Sequence, residues 1–123
     1  MATRKTASQR TELGRRAEES VAEYLQKKGF EIVARNERVG HLEIDIIAKK
    51  GSLLIFCEVR SRTNDAWMTP AQTLNKTKLE RLRRAATQWL ISTRFSVVEV
   101  RFDVASVVFD VPQGRIDYFE DAL

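Results

Sequence analysis

The sequence predicts an α/β domain in which helices flank a sheet of about five strands, in the order α-β-β-β-α-β-β. Three observations carry that expectation. Two stretches, one ending near Gly29 and one over residues 75–93, space their apolar residues at the helical period. Between them, residues 41–48 and 53–60 are strand-like runs joined by Lys49-Lys50-Gly51-Ser52, a polar turn with a glycine free to take φ > 0. After the second helix, residues 97–109 form a β-branched alternating run.

Residues 1–7 have no apolar periodicity and read as a flexible basic arm ahead of a single domain, residues 8–123. Ser8 is a plausible N-cap for the first helix. At 100° per residue Leu13, Ala17, Val21, Tyr24 and Leu25 fill one arc, and Glu18 falls inside its edge, whereas Glu19 and Glu23 lie well round the helix. The residues alone leave Glu18 open between two readings, a boundary acid paired with Arg15 or Arg35 and an acid turned toward the sheet. Residues 30–37 alternate as a first strand before the hairpin. The loop over 63–73 carries Trp67, suited to cover a core or to stack on a base.

In the second helix Leu79, Leu82, Ala86, Trp89 and Leu90 form the apolar arc. Lys78 and Arg81 flank one edge, and Lys76 and Arg83 the other, where long cations either meet phosphates or stay solvated. In the following strand Val98, Val100, Phe102 and Val104 alternate against Glu99, Arg101 and Asp103; residues 111–114 make a turn and 115–119 a last strand.

With 123 residues, 43% hydrophobic and 31% charged, the chain can bury a core without staples. Cys57 is the only cysteine, which excludes an internal disulfide, and Ile55 and Val59 around it suggest a buried thiol. No apolar run approaches the ~18 residues of a membrane span and the start lacks a signal peptide's hydrophobic stretch, so no membrane partner and a cytoplasmic location are expected. The net charge of +4 is unevenly spread. Residues 73–101 hold seven basic and two acidic residues, while residues 102–123 hold five acidic and one basic. Such a surface suits a polyanion, most simply nucleic acid. His41 has no histidine or cysteine at metal-ligating spacing, no glycine-rich phosphate loop occurs, and Ser/His/Asp and Cys/His catalysis have no candidates.

The chemistry sits in the hairpin. Strand alternation puts Glu43, Asp45 and Ile47 on one face and Ile44 and Ile46 on the other; Phe56, Glu58 and Arg60 likewise oppose Ile55, Cys57 and Val59. A turn centred on Lys50-Gly51 sets Glu43 opposite Glu58, with Asp45 diagonal to Glu58 at roughly 7 Å. A two-residue change of register sets Asp45 opposite instead. Carboxylates at that spacing repel by about 2 kcal/mol, so a fold that keeps them together needs a cation, and a divalent metal is the candidate. The alternative is a wet face on which Arg60 neutralises Glu58 or Glu43.

The runs Leu42-Glu43-Ile44-Asp45-Ile46-Ile47-Ala48 and Ile55-Phe56-Cys57-Glu58-Val59-Arg60-Ser61-Arg62, then Lys76 with Lys78-Leu79, then Arg101-Phe102-Asp103-Val104, resemble the YraN family, also called UPF0102. That family is similar to the PD-(D/E)XK nuclease superfamily, with restriction endonuclease-like and Holliday-junction-resolvase-like relatives. The resemblance runs from about Gly14 to the end of the chain. It implies a restriction endonuclease-like mixed sheet flanked by helices, with metal ligands on the hairpin. Asp45 then matches the metal-binding aspartate, Glu58 the acid of the second motif, Glu18 a glutamate given by the first helix, and Glu43 a supporting glutamate. The Val59 carbonyl is a further implied ligand, and Arg60 occupies the usual lysine position. Leu42 and Ala17 stand where the pattern has glycines.

The implied activity is Mg²⁺- or Mn²⁺-dependent endonuclease cleavage of nucleic acid, DNA rather than RNA, selective for structure rather than sequence. Lys76, Lys78, Arg81, Arg83 and Arg62 would follow the phosphate backbone. A guanidinium keeps its proton, so Arg60 would steady charge and not act as a base. The alternative is a non-catalytic nucleic-acid-binding module or adaptor on the same scaffold. A homodimer and a DNA-processing protein docked on the acidic C-terminal surface are further expectations.

Overall fold

The computed structural model describes residues 11–62, 76–96, 99–112 and 114–122. Its elements run α1 (Glu12–Lys27), β1 (Glu31–Val39), β2 (Leu42–Lys50), β3 (Leu53–Arg62), α2 (Lys76–Thr93), β4 (Glu99–Val108) and β5 (Arg115–Phe119), the order expected from the sequence. The arm of residues 1–7, Ser8, the Trp67 loop and Asn75 lie outside the described residues. The cap of α1 is Thr11 rather than Ser8, because the Thr11 Oγ1 accepts the Gly14 N–H at 2.9 Å and so satisfies a donor of the first turn. Gly29, at φ +93°, ends the helix, and the Phe30 N–H returns to the Leu25 carbonyl at 3.0 Å.

The strands form one mixed sheet in the order β1-β2-β3-β4-β5. All neighbours are antiparallel except β3 and β4, which run parallel. Parallel strands need a crossover, and α2 lies within it. One face packs Ala17, Val21, Ala22 and Leu25 of α1 on Ile46, Ala48, Ile55, Cys57, Ala105 and Val107. The other packs Leu82, Ala85, Ala86 and Trp89 of α2 on Ile44, Ile47, Leu54 and Phe56. Burying each large apolar side chain contributes roughly 1.5–3 kcal/mol, which holds in place two helices that are marginal alone. No described helix is long and apolar enough to cross a membrane.

Two features of the hairpin differ from the sequence expectation. The strands pair from Lys50 with Leu53 to Ile46 with Cys57, so the loop is Gly51-Ser52 and not Lys50-Gly51. Gly51 takes φ +60° and Ser52 is not among the positive-φ residues, the requirement of a two-residue turn with glycine first. Glu43 is therefore not opposite Glu58; it pairs with Arg38 of β1. One further step of this register brings Asp45 level with Glu58.

The alternation of β2 also fails, at Asp45. Ile44 and Ile47 join the α2 core whereas Ile46 and Ala48 join the α1 core, so Ile44 and Ile46 do not share a face. The cause lies in β1. Its register shifts between Ile32 and Ala34, and Asn36, between the pairs Arg35–Ile46 and Glu37–Ile44, has φ +52°. The register shift faces Ala48 and Ile47, whereas Asn36, with its left-handed backbone, stands across from Asp45 and turns the strand locally.

Candidate metal and nucleic-acid site

β3 continues beyond its last pair with β2, and Asp45 fills the notch so left: its Oδ2 accepts the Val59 N–H at 2.8 Å. In an extended strand a residue's N–H and C=O face the same side, so the Val59 carbonyl also looks toward the notch. Glu18, Glu43, Asp45 and Glu58 line one cleft of about 230 Å³ together with Thr11, Gly14, Val59 and Ser61. The effect on Asp45 is large. Burial first, and then the Glu58 charge, push its carboxyl up to about 8; Glu18 and Glu43 add to the rise, and the Val59 hydrogen bond opposes it.

Each of the other acids is held by a different element. Glu58 is buried, its Oε2 lying 2.7 Å from Lys78 Nζ and 3.3 Å from Arg60 Nη2. The Arg60 contact is the one expected of a wet face, here with Glu58 buried and Glu43, Asp45 and Arg60 half-buried. Lys78, expected at a phosphate, instead comes down from α2 onto the acid. Glu18 is buried as well, and its Oε1 accepts from Asn36 Nδ2 at 3.0 Å. Arg15 pairs with Glu12, and Arg35 with Glu19 at 3.1 Å.

The remaining candidates disperse. Arg62 Nη2 donates to Ser106 Oγ at 3.1 Å on the seam between β3 and β4. Arg83 lies over the Phe102 ring at 5.4 Å, Lys76 is exposed at the start of α2, and Arg81 lines a separate groove. Among the described residues no three His, Cys, Asp or Glu side chains stand close enough together to hold an ion. The donor set still suits a hard cation in kind, with carboxylate and carbonyl oxygens around an acid whose charge is disfavoured by burial and by its acidic neighbours. For Glu58 to join it, its contact with Lys78 must loosen.

Three participants were missed in the sequence. Asn36 interrupts the alternation of its strand, a legible signal; the descent of Lys78 onto Glu58 is set by packing and left none. The third is Asp103, which the sequence placed on the polar face of its strand and in the family-like run Arg101-Phe102-Asp103-Val104 without giving it a role. It is fully buried and accepts from Arg101 Nε at 2.9 Å and Nη2 at 3.0 Å, from the Tyr118 hydroxyl at 2.6 Å and from the Asp121 N–H at 2.8 Å. Next to it Cys57 is buried as expected, and burial followed by the Asp103 charge raises its thiol pKa, which makes it a poor nucleophile.

The fold and the notch define a small α/β domain with clustered acids at the end of two central strands and a basic helix alongside. The profile of the "Uncharacterised protein family UPF0102" matches residues 17–107, a span that includes Glu18, Glu43, Asp45, Glu58 and Lys78. A UPF0102 protein of Rhodococcus opacus is 37% identical over 117 residues, 89% of this chain and 94% of the relative. One from Carboxydothermus hydrogenoformans is 43% identical over 76 residues, 62% of this chain and 64% of that protein. Another, from Oleidesulfovibrio alaskensis, is 44% identical over 79 residues, 64% of this chain and 39% of that protein. The match thus spans less than two thirds of the last two relatives. This chain belongs to the UPF0102 family.

Proposed function

We propose that the protein is a metal-dependent endonuclease acting on nucleic-acid phosphodiester bonds. The observation that carries the reading is the gathering of Glu58, Glu18 and Glu43 around Asp45 in one notch, where burial first and then these charges raise its carboxyl to about 8. Acids are kept together at such a cost mainly where a cation or a reaction uses them. Asp45, Glu58 and the Val59 carbonyl would hold Mg²⁺ or Mn²⁺, with Glu18 and Glu43 in the wider shell. When bound, that ion would polarise the scissile phosphate and acidify the attacking water.

The chain's own residues do the rest. The Val59 N–H fixes one oxygen of Asp45 and so aims the carboxylate. Arg60 and Lys78 bring two positive charges to the rim of the notch, where they neutralise Glu58 in the resting protein and steady the phosphate as negative charge builds on it. The resemblance to PD-(D/E)XK nucleases supports the same reaction class.

A second reading, a nucleic-acid-binding module without catalysis, is favoured by one observation: Glu58 already has two cationic partners. The deciding experiment is a cleavage panel of branched, single-stranded and duplex DNA and RNA with Mg²⁺, Mn²⁺ or EDTA. Metal-dependent product that disappears in Asp45→Asn is expected; salt-sensitive binding with no product on any substrate selects the module.

A further inference from the structure

On the α2 side of the sheet, a groove of about 460 Å³ runs between the tip of the β1–β2 hairpin and the helix. Val39, Leu42 and Ala85 give it an apolar floor, while His41, Arg81 and Arg84 are exposed along it. The lining contains no acid. Among the described residues no carboxylate pairs with Arg81 or Arg84, although Arg15, Arg35, Arg60, Arg101 and Arg115 all have acidic partners. Two guanidiniums left over a hydrophobic slot are what an anion with a flat apolar body requires.

Helix α2 reaches both the groove and the acidic notch. Lys78, Arg81, Ala85 and Gln88 follow one another at spacings of three or four residues and so share a face of α2. Lys78 stands on Glu58 at one end, and Gln88 lines the groove at the other. Ten residues of helix cover about 15 Å, the length of a few nucleotides.

We propose that this groove binds single-stranded nucleic acid leading away from the notch, a base face lying on Val39, Leu42 and Ala85 and phosphates meeting Arg81 and Arg84. A paired duplex hides its base faces in the stack and could use only the guanidiniums, so the apolar floor selects an unpaired strand. The inference rests on the nuclease reading for the direction of the strand, but not for its binding. It names the substrate class as one with a single-stranded arm or flap.

The test is fluorescence anisotropy in EDTA, where no cleavage occurs, with three probes: a labelled oligothymidylate, a strand of equal length with abasic sites, and a blunt duplex. Wild type is expected to bind the oligothymidylate at least ten-fold more tightly than the abasic strand, since base stacking on a protein surface is worth roughly 1–3 kcal/mol per base. Arg81→Glu/Arg84→Glu, both exposed positions, should weaken oligothymidylate binding more than ten-fold with an unchanged melting temperature, and Leu42→Gln should remove the preference over the abasic strand. Equal affinity for the abasic strand, unaltered binding by the double variant, or tighter binding of an acidic peptide than of any oligonucleotide would overturn the proposal. Cleavage is scored separately with Mn²⁺: groove variants that bind and cut like wild type reject the groove alone, and a wild type that binds as expected without cutting rejects only the nuclease reading.

Discussion

Asp103, fully buried, and Asp45, half-buried, are both aspartates on the inner strands, and the fold treats them in opposite ways. Around Asp103 are the Arg101 fork, the Tyr118 hydroxyl and the Asp121 N–H, so both carboxylate oxygens are satisfied by donors that tie β4 to β5 and the segment after it. Around Asp45 are three more acids, and among the described residues its one hydrogen-bond donor is the Val59 N–H. The first arrangement is a staple. The second is a local conflict in an otherwise consistent fold, and such conflicts mark the places where a chain is shaped for something other than stability.

The largest expected effect breaks the first half of that contrast. Asp103→Ala leaves the Arg101 guanidinium, the Tyr118 hydroxyl and the Asp121 N–H facing a void, and should cost about 3–5 kcal/mol of stability by urea denaturation, with the β5 amides losing hydrogen-exchange protection first. A loss under 1 kcal/mol would mean that the network is ornamental and that the contrast fails.

Asp45→Asn should behave in the reverse way. Metal-dependent cleavage is expected to fall by on the order of 10² or more, about 2.7 kcal/mol of barrier, in single-turnover assays. The metal-free protein should meanwhile gain stability at neutral pH, because an amide, unlike the Asp45 carboxylate, has no proton to take up on folding. Loss of stability in this variant would show that the notch is held together by Asp45 rather than strained by it.

Glu58 sharpens the comparison, since it sits in the same cleft but resembles Asp103 in having cations. Glu58→Gln leaves Lys78 and Arg60 facing each other, and should cost about 1 kcal/mol, discounted for the partial exposure of both bases. Combining it with Lys78→Met should recover most of that loss. If Glu58→Gln and Asp45→Asn shift the melting temperature in the same direction, the two carboxylates have not been separated.

What was legible in the sequence follows this division. The order of helices and strands rests on periods of 3.6 and 2 that the residues display directly, and Glu18 could be placed at the edge of a helical arc before it was seen buried there. The placing of Asp45 beside Glu58, one step past the last β2–β3 pair, was harder, because register depends on which two of four turn residues make the loop, and the polar run around Gly51 accommodates both choices. The phase change at Asp45 was not legible in its own strand; it comes from the neighbouring Asn36, and only the breakdown of alternation in β1 announces it. Contacts made by long side chains were the least legible. Lys78 and Arg83 occupy opposite edges of the helical arc, as their spacing requires, but that one reaches Glu58 and the other stacks on Phe102 is decided by the sheet beneath.

The last expected effect concerns pH. In the unfolded chain the Asp45 carboxyl titrates near the ordinary value of about 4, whereas in the folded, metal-free protein it titrates near 8. Between those values the folded state keeps a proton that the unfolded state has released, so this group makes stability fall as pH rises from about 4 to about 8 and adds no slope beyond. The measurement is the difference in melting temperature between wild type and Asp45→Asn across that range without metal. It should widen in favour of the variant as pH rises through this range and then level off. Binding of Mn²⁺ has to displace the same proton, so metal affinity should strengthen up to pH 8, and titrations near pH 6 in two buffers of different ionisation enthalpy should register close to one proton released per ion. Parallel melting profiles for the two proteins, or metal binding without proton release, would remove Asp45 from the centre of the acidic notch and leave Asp103 as the better example of a buried acid with a purpose.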